Sequence, residues 1–426
     1  MLRFFLIFLC LCVKALLSAE LNVSVSAEAA ILLNADTGAI LFEKNAYAQY
    51  FPASITKVAT ALYALKEKGH QLNAQVEAEQ EAIVSLSEES KRKSNYSTPA
   101  YWLEPGGTHI GIKKGELLSL KDLLYGMMLA SGNDASNVIA QHVFGSIPKF
   151  IQHMNEFLKD EVGCKSTHFC NPHGLHHPDH QTTAYDMALI TKEALRYPAF
   201  REMVSTVRYT RPKTNKQEPT TIVQSNKLLK SGKLFYSKAF GVKTGYTSKA
   251  QNTFVAAAKN EDRTLILVLL KSSEREGMFK DAIALFQAAF QEVKVKKSYI
   301  KSGPQKFQLK LEGASKSVAT YLAEPVIFDY YPSEEPKVKA MLAWDDVELP
   351  VYRGNRVGEV TLRDEQGNVL VAKPLLASED VHPSFLHQVK HIIGHFGRVF
   401  TIKSVFSIAA IIGSLFLFFV LFMRRR

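Results

Sequence analysis

The order of strand-like and helical segments constrains the fold of this chain more than any other feature. Residues 29–42 have the pattern of two strands joined by a turn, and three more strand patterns follow much later, at 239–244, 252–258 and 264–271. Helical patterns lie at 54–68, 117–130, 134–144, 149–161, 184–196 and 278–291. Strands from the two ends of one region pair most simply in a single antiparallel sheet with helices on its faces. We therefore predict an α+β domain over residues 20–292.

The sequence from residue 293 to residue 380 has a different character, because short strand patterns replace the helical period. The strand patterns lie at 305–311, 325–330, 337–343, 356–362 and 368–373. The segment also contains a group of lysines, namely Lys294, Lys296, Lys297, Lys301, Lys306 and Lys310. We predict a small all-β domain over 293–380. A solvated surface accounts most simply for the lysines, and binding to an anionic envelope surface is the sharper alternative.

Both ends of the chain have the features of an exported membrane protein. Residues 1–19 combine a short basic start, an apolar stretch and a small residue at Ala19, which is typical of a cleaved signal peptide. Residues 405–423 are 19 residues without a charge, and the basic tail 424–426 follows at once. A helix of that length spans a bilayer, and the positive-inside rule puts the tail in the cytoplasm. We predict an inner-membrane protein with a single C-terminal span and its body on the exported, periplasmic side.

The segment just before this span, residues 381–404, has apolar residues spaced by three and four and basic residues on the other side. This pattern predicts an amphipathic juxtamembrane helix that lies on an anionic bilayer surface, and a helix packed on the body is the alternative. Only Cys164 and Cys170 would remain in the mature chain. An exported protein can form a disulfide between them, and the sequence leaves that pairing open.

The overall composition is that of a globular protein without a nucleic-acid partner. Of the 426 residues, 46% are hydrophobic and 22% are charged, which excludes a wholly disordered or collagen-like chain. The net charge of +11 falls to +6 when the five basic residues of the two terminal segments are set aside. That mild excess, spread over a long body, is not the concentrated basic surface that nucleic-acid binding requires.

Four Ser-x-x-Lys tetrads occur in the chain, at Ser54, Ser90, Ser146 and Ser298, and their local context separates them. A lysine three residues after a helical serine presents its amine to the hydroxyl, and burial is needed to remove its proton. Ser90 lies in a run of charges, the tetrad of Ser146 contains a proline, and Ser298 lies among the lysines of the second region. Only Ser54 opens an apolar helix. Ser54 and Lys57 are therefore the candidate nucleophile and base.

Two rarer patterns follow in order along the chain. Ser131-Gly-Asn133 lies between two helical patterns, and Lys243-Thr-Gly245 lies on a predicted strand; each occurs once. Together with the tetrad at Ser54 they make up the active-site set of penicillin-binding proteins and serine β-lactamases. The chain resembles the low-molecular-mass penicillin-binding proteins, the D-alanyl-D-alanine carboxypeptidases, from about residue 27 to about residue 400. The resemblance also covers the segments 51–54, 131–134, 171–175, 183–186 and 243–247.

This resemblance implies the fold of the penicillin-binding proteins and a serine-type D-Ala-D-Ala carboxypeptidase. Such an enzyme removes the terminal D-alanine from peptidoglycan stem pentapeptides in cell-wall biogenesis, is blocked covalently by β-lactams, and needs neither a cofactor nor a metal. The resemblance implies that Ser54 is the nucleophile, Lys57 its base and Ser131 a proton relay. The implied substrate-binding residues are Asn133, Lys243, Thr244, Gly245 and Tyr246.

The resemblance also implies finer roles for some of these groups. Lys243 would help to keep Lys57 uncharged, and the backbone N–H groups of Ser54 and Tyr246 would form the oxyanion hole. The family often has an arginine near the substrate carboxylate, but the register of Arg275 is not fixed by the sequence, and surface charge is our expectation for it. The hydrophobic span at 405–423 departs from the family pattern. So does the charged stretch 77–97, which is polar enough for a mobile surface loop; whether it gates the site is open.

Several other interpretations compete with this one. Residues 168–180 are rich in histidine and resemble a metal site, but they lie in a loop and lack the paired histidines of zinc hydrolases. A β-lactamase shares the three motifs, but its Glu-x-x-Leu-Asn segment is missing here. A transpeptidase differs only in the acceptor of the acyl group, and no residue decides that. A non-enzymatic envelope scaffold is disfavoured because every motif residue is intact.

Overall fold

The computed structural model describes residues 21–391, which form two compact units. The larger unit contains the residues up to Val293 together with Tyr331–Glu334, and the smaller contains the others from Lys294 onward. The predicted signal peptide, the predicted span at 405–423 and most of the predicted juxtamembrane helix lie outside the described residues. Residues 385–391 are helical, and no helix within 21–391 is long and apolar enough to cross a membrane.

The larger unit contains strands β1–β9 and helices α1–α8. Its strands are β1 (Ala29–Asn34), β2 (Ile40–Lys44), β3 (Gln75–Glu77), β4 (Leu117–Ser119), β5 (Arg208–Arg211), β6 (Thr220–Val223), β7 (Ala239–Thr247), β8 (Gln251–Lys259) and β9 (Thr264–Ser272). Its helices are α1 (Lys57–Lys68), α2 (Glu88–Lys93), α3 (Leu120–Leu129), α4 (Asn133–Phe144), α5 (Ile147–Asp160), α6 (Ala184–Ala194), α7 (Pro198–Ser205) and α8 (Arg275–Gln291). Helices α2 and α7 and the short pairs β3–β4 and β5–β6 were not predicted, because each is too short to show a period.

The main sheet of the larger unit is antiparallel, with the strand order β2-β1-β9-β8-β7. Every residue of β1 is buried, and its side chains alternate between two apolar cores. Ile31 and Leu33 face the core that contains α1 and α3–α7, whereas Ala30 and Leu32 face the core that contains α8. The predicted mixed fold, one antiparallel sheet with helices on both faces, is confirmed. Strand β7, which carries the Lys-Thr-Gly motif, is an edge strand of this sheet.

Among its described residues, the smaller unit contains seven antiparallel strands. They are β10 (Val295–Ile300), β11 (Gly303–Leu309), β12 (Val318–Leu322), β13 (Val326–Tyr330), β14 (Lys339–Trp344), β15 (Arg356–Arg363) and β16 (Val369–Ala377). Five of them form a sheet in the order β11-β12-β16-β15-β14, and β10 pairs with β13. Two apolar clusters stabilise this unit. The prediction missed β10 and β12. Strand β10 was missed because it lies within the lysine group and alternates only weakly between exposed and partly buried residues.

Candidate active site

Ser54 lies in a tight turn that the surrounding backbone fixes. Residues Ala53–Thr56 form one turn of 3-10 helix that leads directly into α1, so the regular helix begins three residues later than the predicted start at 54. Ala53 has a φ of 52°, a left-handed conformation that is uncommon for a residue with a Cβ atom. The Thr253 hydroxyl on β8 donates a 2.7 Å hydrogen bond to the carbonyl oxygen of Pro52. This bond ties the turn to the sheet.

Two glycines allow the chain to pack closely against this turn. A Cβ atom on Gly174, whose φ is 92°, would lie 1.9 Å from the carbonyl oxygen of Ala53. A Cβ atom on Gly245 would lie 2.8 Å from the backbone nitrogen of Ser54. No side chain fits at either position. The close approach brings β7 beside the backbone N–H of Ser54, which is the arrangement that the implied oxyanion hole requires.

The amine of Lys57 is completely buried and has three hydrogen-bonding neighbours. Its Nζ lies 3.0 Å from Oγ of Ser54, 2.7 Å from Oδ1 of Asn133 and 2.5 Å from the carbonyl oxygen of His173. The Asn133 and His173 oxygens can only accept hydrogen bonds. In a neutral amine they take both N–H groups, and the lone pair is left for the hydroxyl of Ser54. In that form, Lys57 can act as a general base toward the hydroxyl of Ser54.

The surroundings of Lys57 favour its neutral form. Burial lowers the pKa of Lys57 well below its ordinary value, and the positive charge of Lys243 lowers it further, whereas Asp134 opposes both effects. The carboxylate of Asp134 is itself buried, and it accepts hydrogen bonds from the backbone N–H groups of Ile110, Gly111 and Ile112. Because this carboxylate is occupied by backbone donors, it does not pair directly with the amine.

Lys243 of β7 contributes a second buried amine to the site. Lys243 is completely buried, and its amine donates a 2.7 Å hydrogen bond to the carbonyl oxygen of Thr244. Burial, followed by the nearby charge of Arg275, lowers the pKa of Lys243 to about 7. The Thr244 hydroxyl lies 2.8 Å from the hydroxyl of Ser225. Arg275 is exposed, as expected of a surface charge, and it also lies on the wall of the same cavity.

The predicted site residues surround one cavity of about 560 Å³. Six of them line it, namely Ser54, Ser131, Asn133, Thr244, Gly245 and Tyr246, and the amines of Lys57 and Lys243 are buried beside it. Ser131 has a φ of 65° in the loop before α4, and Tyr246 is 66% exposed. Three segments that are far apart in sequence, 54–57, 131–133 and 243–246, are thus brought together.

Sequence reasoning missed several residues of the site. Ser225 and Thr253 contact Thr244 and Pro52 through their hydroxyl groups, yet neither belongs to a motif. The carbonyl oxygen of His173 carries no side-chain signal at all, although it is one of the neighbours of the Lys57 amine. The contact between His173 and Lys57 joins residues that are 116 positions apart. It depends on the fold rather than on a local pattern.

The charged stretch 77–97 is held in place on the larger unit. Lys91 of α2 is only 3% exposed, and its amine donates a 2.5 Å hydrogen bond to the carbonyl oxygen of Trp102. The same amine forms a 3.2 Å ion pair with Glu104. Tyr96 packs edge-on against the ring of His176. A buried lysine and a ring contact thus attach the stretch that the sequence predicted as a mobile surface loop.

The buried histidines of segment 168–180 are occupied by hydrogen bonds within the fold. Nδ1 of His173 accepts from the backbone N–H of Leu175, so its Nε2–H donates to the carbonyl oxygen of Tyr101. Nδ1 of His180 accepts from the backbone N–H of Cys170, and its Nε2 lies 2.9 Å from the hydroxyl of Thr56. Burial lowers the pKa of both histidines well below the ordinary value.

Neither a metal centre nor a disulfide forms among the described residues. Within residues 21–391, no group of three or more histidine, cysteine, aspartate or glutamate side chains is arranged to hold a metal ion. Cys164 and Cys170 are both free thiols. Burial raises the pKa of both thiols, so they are not poised as nucleophiles.

Comparison with known proteins places this chain in a family. Residues 16–274 match the family described as D-alanyl-D-alanine carboxypeptidase. The chain belongs to the D-alanyl-D-alanine carboxypeptidase family. It is 30% identical over 373 residues to D-alanyl-D-alanine carboxypeptidase DacF of Bacillus subtilis, covering 86% of this chain and 89% of that one. The predicted family and its serine-type D-alanyl-D-alanine carboxypeptidase activity are thereby confirmed.

Solved structures of the family have the same fold. Penicillin-binding protein 5 of Haemophilus influenzae is 25% identical, with a TM-score of 0.57, and the match covers 84% of this chain and 98% of that one. A point mutant of the DD-transpeptidase of Streptomyces K15 is 27% identical, with a TM-score of 0.54, over 63% of this chain and 99% of that one. The carboxypeptidase family thus shares its fold with an enzyme that is named for transfer rather than hydrolysis.

Proposed function

We propose that this D-alanyl-D-alanine carboxypeptidase removes the terminal D-alanine from peptidoglycan stem pentapeptides through an acyl-enzyme on Ser54. One observation carries the proposal. The oxygens of Asn133 and His173 take the two N–H groups of a neutral Lys57 amine, so its lone pair is left for the Ser54 hydroxyl at 3.0 Å. A serine becomes a nucleophile when an adjacent base takes its proton. The residue roles below rest on this geometry and on the family motifs.

In the first step, Oγ of Ser54 attacks the carbonyl carbon between the two D-alanines while its proton passes to Lys57. The backbone N–H groups of Ser54 and Tyr246 stabilise the oxyanion, an effect worth about 3–4 kcal/mol per donor in enzymes where it has been measured. The tetrahedral intermediate then collapses, and the C–N bond breaks. Ser131 relays the proton from Lys57 to the departing amine of D-alanine, which leaves Lys57 neutral again.

We expect residues of β7, α4 and α8 to bind the substrate. Lys243, Thr244 and Arg275 bind the terminal carboxylate, which gives the enzyme its preference for a chain end. The side-chain N–H₂ of Asn133 hydrogen-bonds the substrate amide, because its carbonyl oxygen is already occupied by Lys57. Gly245 lets the substrate backbone approach β7. Water finally hydrolyses the ester on Ser54, and the neutral amine of Lys57 is placed to take the proton of that water.

A β-lactam presents a strained amide to the same serine, so we propose that it acylates Ser54 and blocks the site. The test is D-alanine release from a pentapeptide that ends in D-Ala-D-Ala, with the full chain in detergent and Ser54→Ala as its matched control. Release by the wild type alone is the expected result. If both proteins release D-alanine, Ser54 is not the nucleophile. If neither does, and an added amine acceptor restores turnover, the chain is a transpeptidase.

We also propose the topology that the sequence indicates: a cleaved signal at 1–19, a catalytic domain at 20–292, an all-β domain at 293–380, a juxtamembrane helix at 381–404 and a span at 405–423. The exposed Phe385 and Leu386, at 78% and 73%, support a helix that meets an apolar surface. Truncation after residue 383 should release the enzyme from the membrane fraction. A truncated chain that still sediments with membranes would contradict the anchor.

A further inference from the structure

The smaller unit contains a cavity of about 400 Å³, lined by residues of β10, β11, β14 and β15 and by Lys301. No two of the strands β10, β11 and β14 pair with each other. Most of the lining side chains are apolar or aromatic, among them Phe307, Leu342 and Trp344. Ligand-binding pockets in proteins typically have volumes of about 300–1,000 Å³. The cavity therefore has room for a ligand.

Strand β14 forms one edge of the five-stranded sheet and contributes four residues to the lining of the cavity. Each of its residues is paired with β15, from Lys339 opposite Arg363 to Trp344 opposite Gly358. Within residues 21–391, no strand pairs with its other side. In an antiparallel pair, every second residue directs its N–H and C=O groups away from the partner strand. This edge of β14 can therefore accept a further strand.

The side chains of β14 alternate between an apolar cluster and the surface. Ala340, Leu342 and Trp344 are partly buried and pack against the cluster, whereas Met341 is 37% exposed. A strand beside β14 would alternate in the same way, because successive side chains point to opposite faces of a sheet. Apolar residues at every second position of that strand would extend the apolar cluster into the cavity.

The hydroxyl of Tyr299 lacks a hydrogen-bond partner at this cavity. Tyr299 lines the cavity, and its hydroxyl oxygen is buried with no partner in the part of the chain that the structure describes. Burial raises the pKa of Tyr299, so the group is a neutral phenol that can both donate and accept a hydrogen bond. A peptide backbone in the cavity would supply the missing partner.

The charges around the cavity are positive. Lys301 is the charged residue of the lining, and residues 293–311 contain six lysines but neither aspartate nor glutamate. Lys297 pairs with Glu335 at 2.5 Å, whereas Lys301, Lys306 and Lys339 form no ion pair within residues 21–391. Carboxylates on an incoming segment would therefore find unpaired lysines on the strands that border the cavity.

These lysines also indicate what kind of strand the edge accepts. Lysines on edge strands prevent sheets from pairing with one another. The edge of a second copy of this chain would bring the same positive charges, which repel each other. A strand that carries carboxylates is attracted instead. The free backbone edge favours a polypeptide over an anion that has no N–H and C=O groups to pair with it.

We propose that the smaller unit binds an extended acidic segment of another protein, which adds to the free edge of β14 as a further strand. Alternate apolar residues of that segment enter the cavity, and its backbone satisfies the hydroxyl of Tyr299. Its carboxylates pair with Lys301 and Lys339. This binding site belongs to the smaller unit and does not depend on the chemistry at Ser54.

The test measures the fluorescence of Trp344, which lines the cavity and is the sole tryptophan in a Trp102→Phe background. The full chain in detergent is titrated with a seven-residue peptide of alternating glutamate and valine. We expect a saturable blue shift, because the bound strand covers the indole. The same peptide with all its amides N-methylated should give no shift, since it cannot pair with β14. A peptide of alternating lysine and valine should also give none.

Three variants in the same background test the contacts. Lys301→Glu should weaken binding of the acidic peptide by about fivefold, the size of an exposed ion pair. Tyr299→Phe should weaken it by about the same factor through the lost hydrogen bond. Lys316→Glu changes an exposed lysine outside the cavity lining and is the matched control. All three should release D-alanine like the unmutated background, and an unchanged Trp344 emission before titration shows that the cavity is intact.

Each other outcome overturns the proposal in a different way. Equal binding of the N-methylated peptide would show that the cavity takes side chains without a paired strand. Equal binding of the lysine peptide would remove the role of charge. An equal shift with polyphosphate, which has no peptide backbone, would assign the lysines to anions in general. A shift with rising protein concentration alone would assign the edge to a second copy, and no shift with any probe would leave the cavity without a strand partner.

Discussion

The lysines of the active site and the lysines of the smaller unit have the same side chain in opposite surroundings. Lys57 and Lys243 are 0% exposed, and burial lowers the pKa of both. In the smaller unit, five of the six lysines between 294 and 310 are exposed, and Lys296 is 77% exposed. Those amines are solvated by water, whereas burial favours the neutral form of Lys57, which can accept a proton. The burial of a lysine and its hydrogen-bond partners, rather than the number of lysines in a segment, therefore decide whether its amine can act as a base.

The largest effect should come from removing the base. Lys57→Met keeps the volume of the side chain but leaves Ser54 without a proton acceptor. We expect acylation by a fluorescent penicillin to slow by about 10²–10⁴-fold. Lys296→Met, on the exposed surface, is the matched control and should react at the wild-type rate. Acylation of Lys57→Met within tenfold of the wild type would show that another group serves as the base.

A smaller effect should follow from breaking the half-buried pair that attaches α2. Lys91→Ala leaves the Glu104 carboxylate, which is 16% exposed, without its cation, and we expect a loss of about 2 kcal/mol in the free energy of unfolding. Lys316→Ala breaks a pair whose side chains are 49% and 47% exposed, and the loss should stay below about 0.5 kcal/mol.

Urea unfolding followed by tryptophan fluorescence measures this difference. The chain has two tryptophans, and in a Trp344→Phe background the remaining one, Trp102, reports on the larger unit. Lys316 lies in the smaller unit, so its variant is followed instead in a Trp102→Phe background. Equal losses in the two variants would contradict the distinction between buried and exposed pairs.

The smallest effect is a change of activity with pH. As pH rises through the lowered pKa of Lys57, the base becomes neutral and kcat/KM increases. Above about pH 7 Lys243 loses its proton, and kcat/KM for a peptide with a free carboxylate should fall by up to about tenfold per pH unit. A peptide that ends in a carboxamide should lack this alkaline decrease. The same decrease with both peptides would show that Lys243 does not bind the carboxylate.

The motif residues and the strands of the main sheet could be predicted from the sequence, because each is recognised by a pattern of residues that are close together in the chain. Ser54 and Lys57 are three residues apart, and the strands carry runs of apolar residues. The third neighbour of the Lys57 amine could not be predicted, because the backbone of His173 lies 116 positions away. The hydrogen bond between the Lys57 amine and the side-chain oxygen of Asn133 was missed for the same reason.

The charged stretch 77–97 shows a second limit of sequence reasoning. Lys91 stands between charged and polar neighbours, and nothing in that local pattern indicates burial. Its 3% exposure arises from the Trp102 carbonyl and Glu104, which come from a later segment. The place of Arg275 on the cavity wall was not predicted either, because it depends on where α8 begins relative to β7.

The tight contact of Gly174 and Gly245 with the turn of Ser54 bears on how drug resistance could arise in this enzyme. The turn has no space for a Cβ atom at either glycine, so enlarging a side chain there would disable the enzyme along with its sensitivity to β-lactams. A resistant enzyme that still works must therefore have changed at positions other than these two glycines.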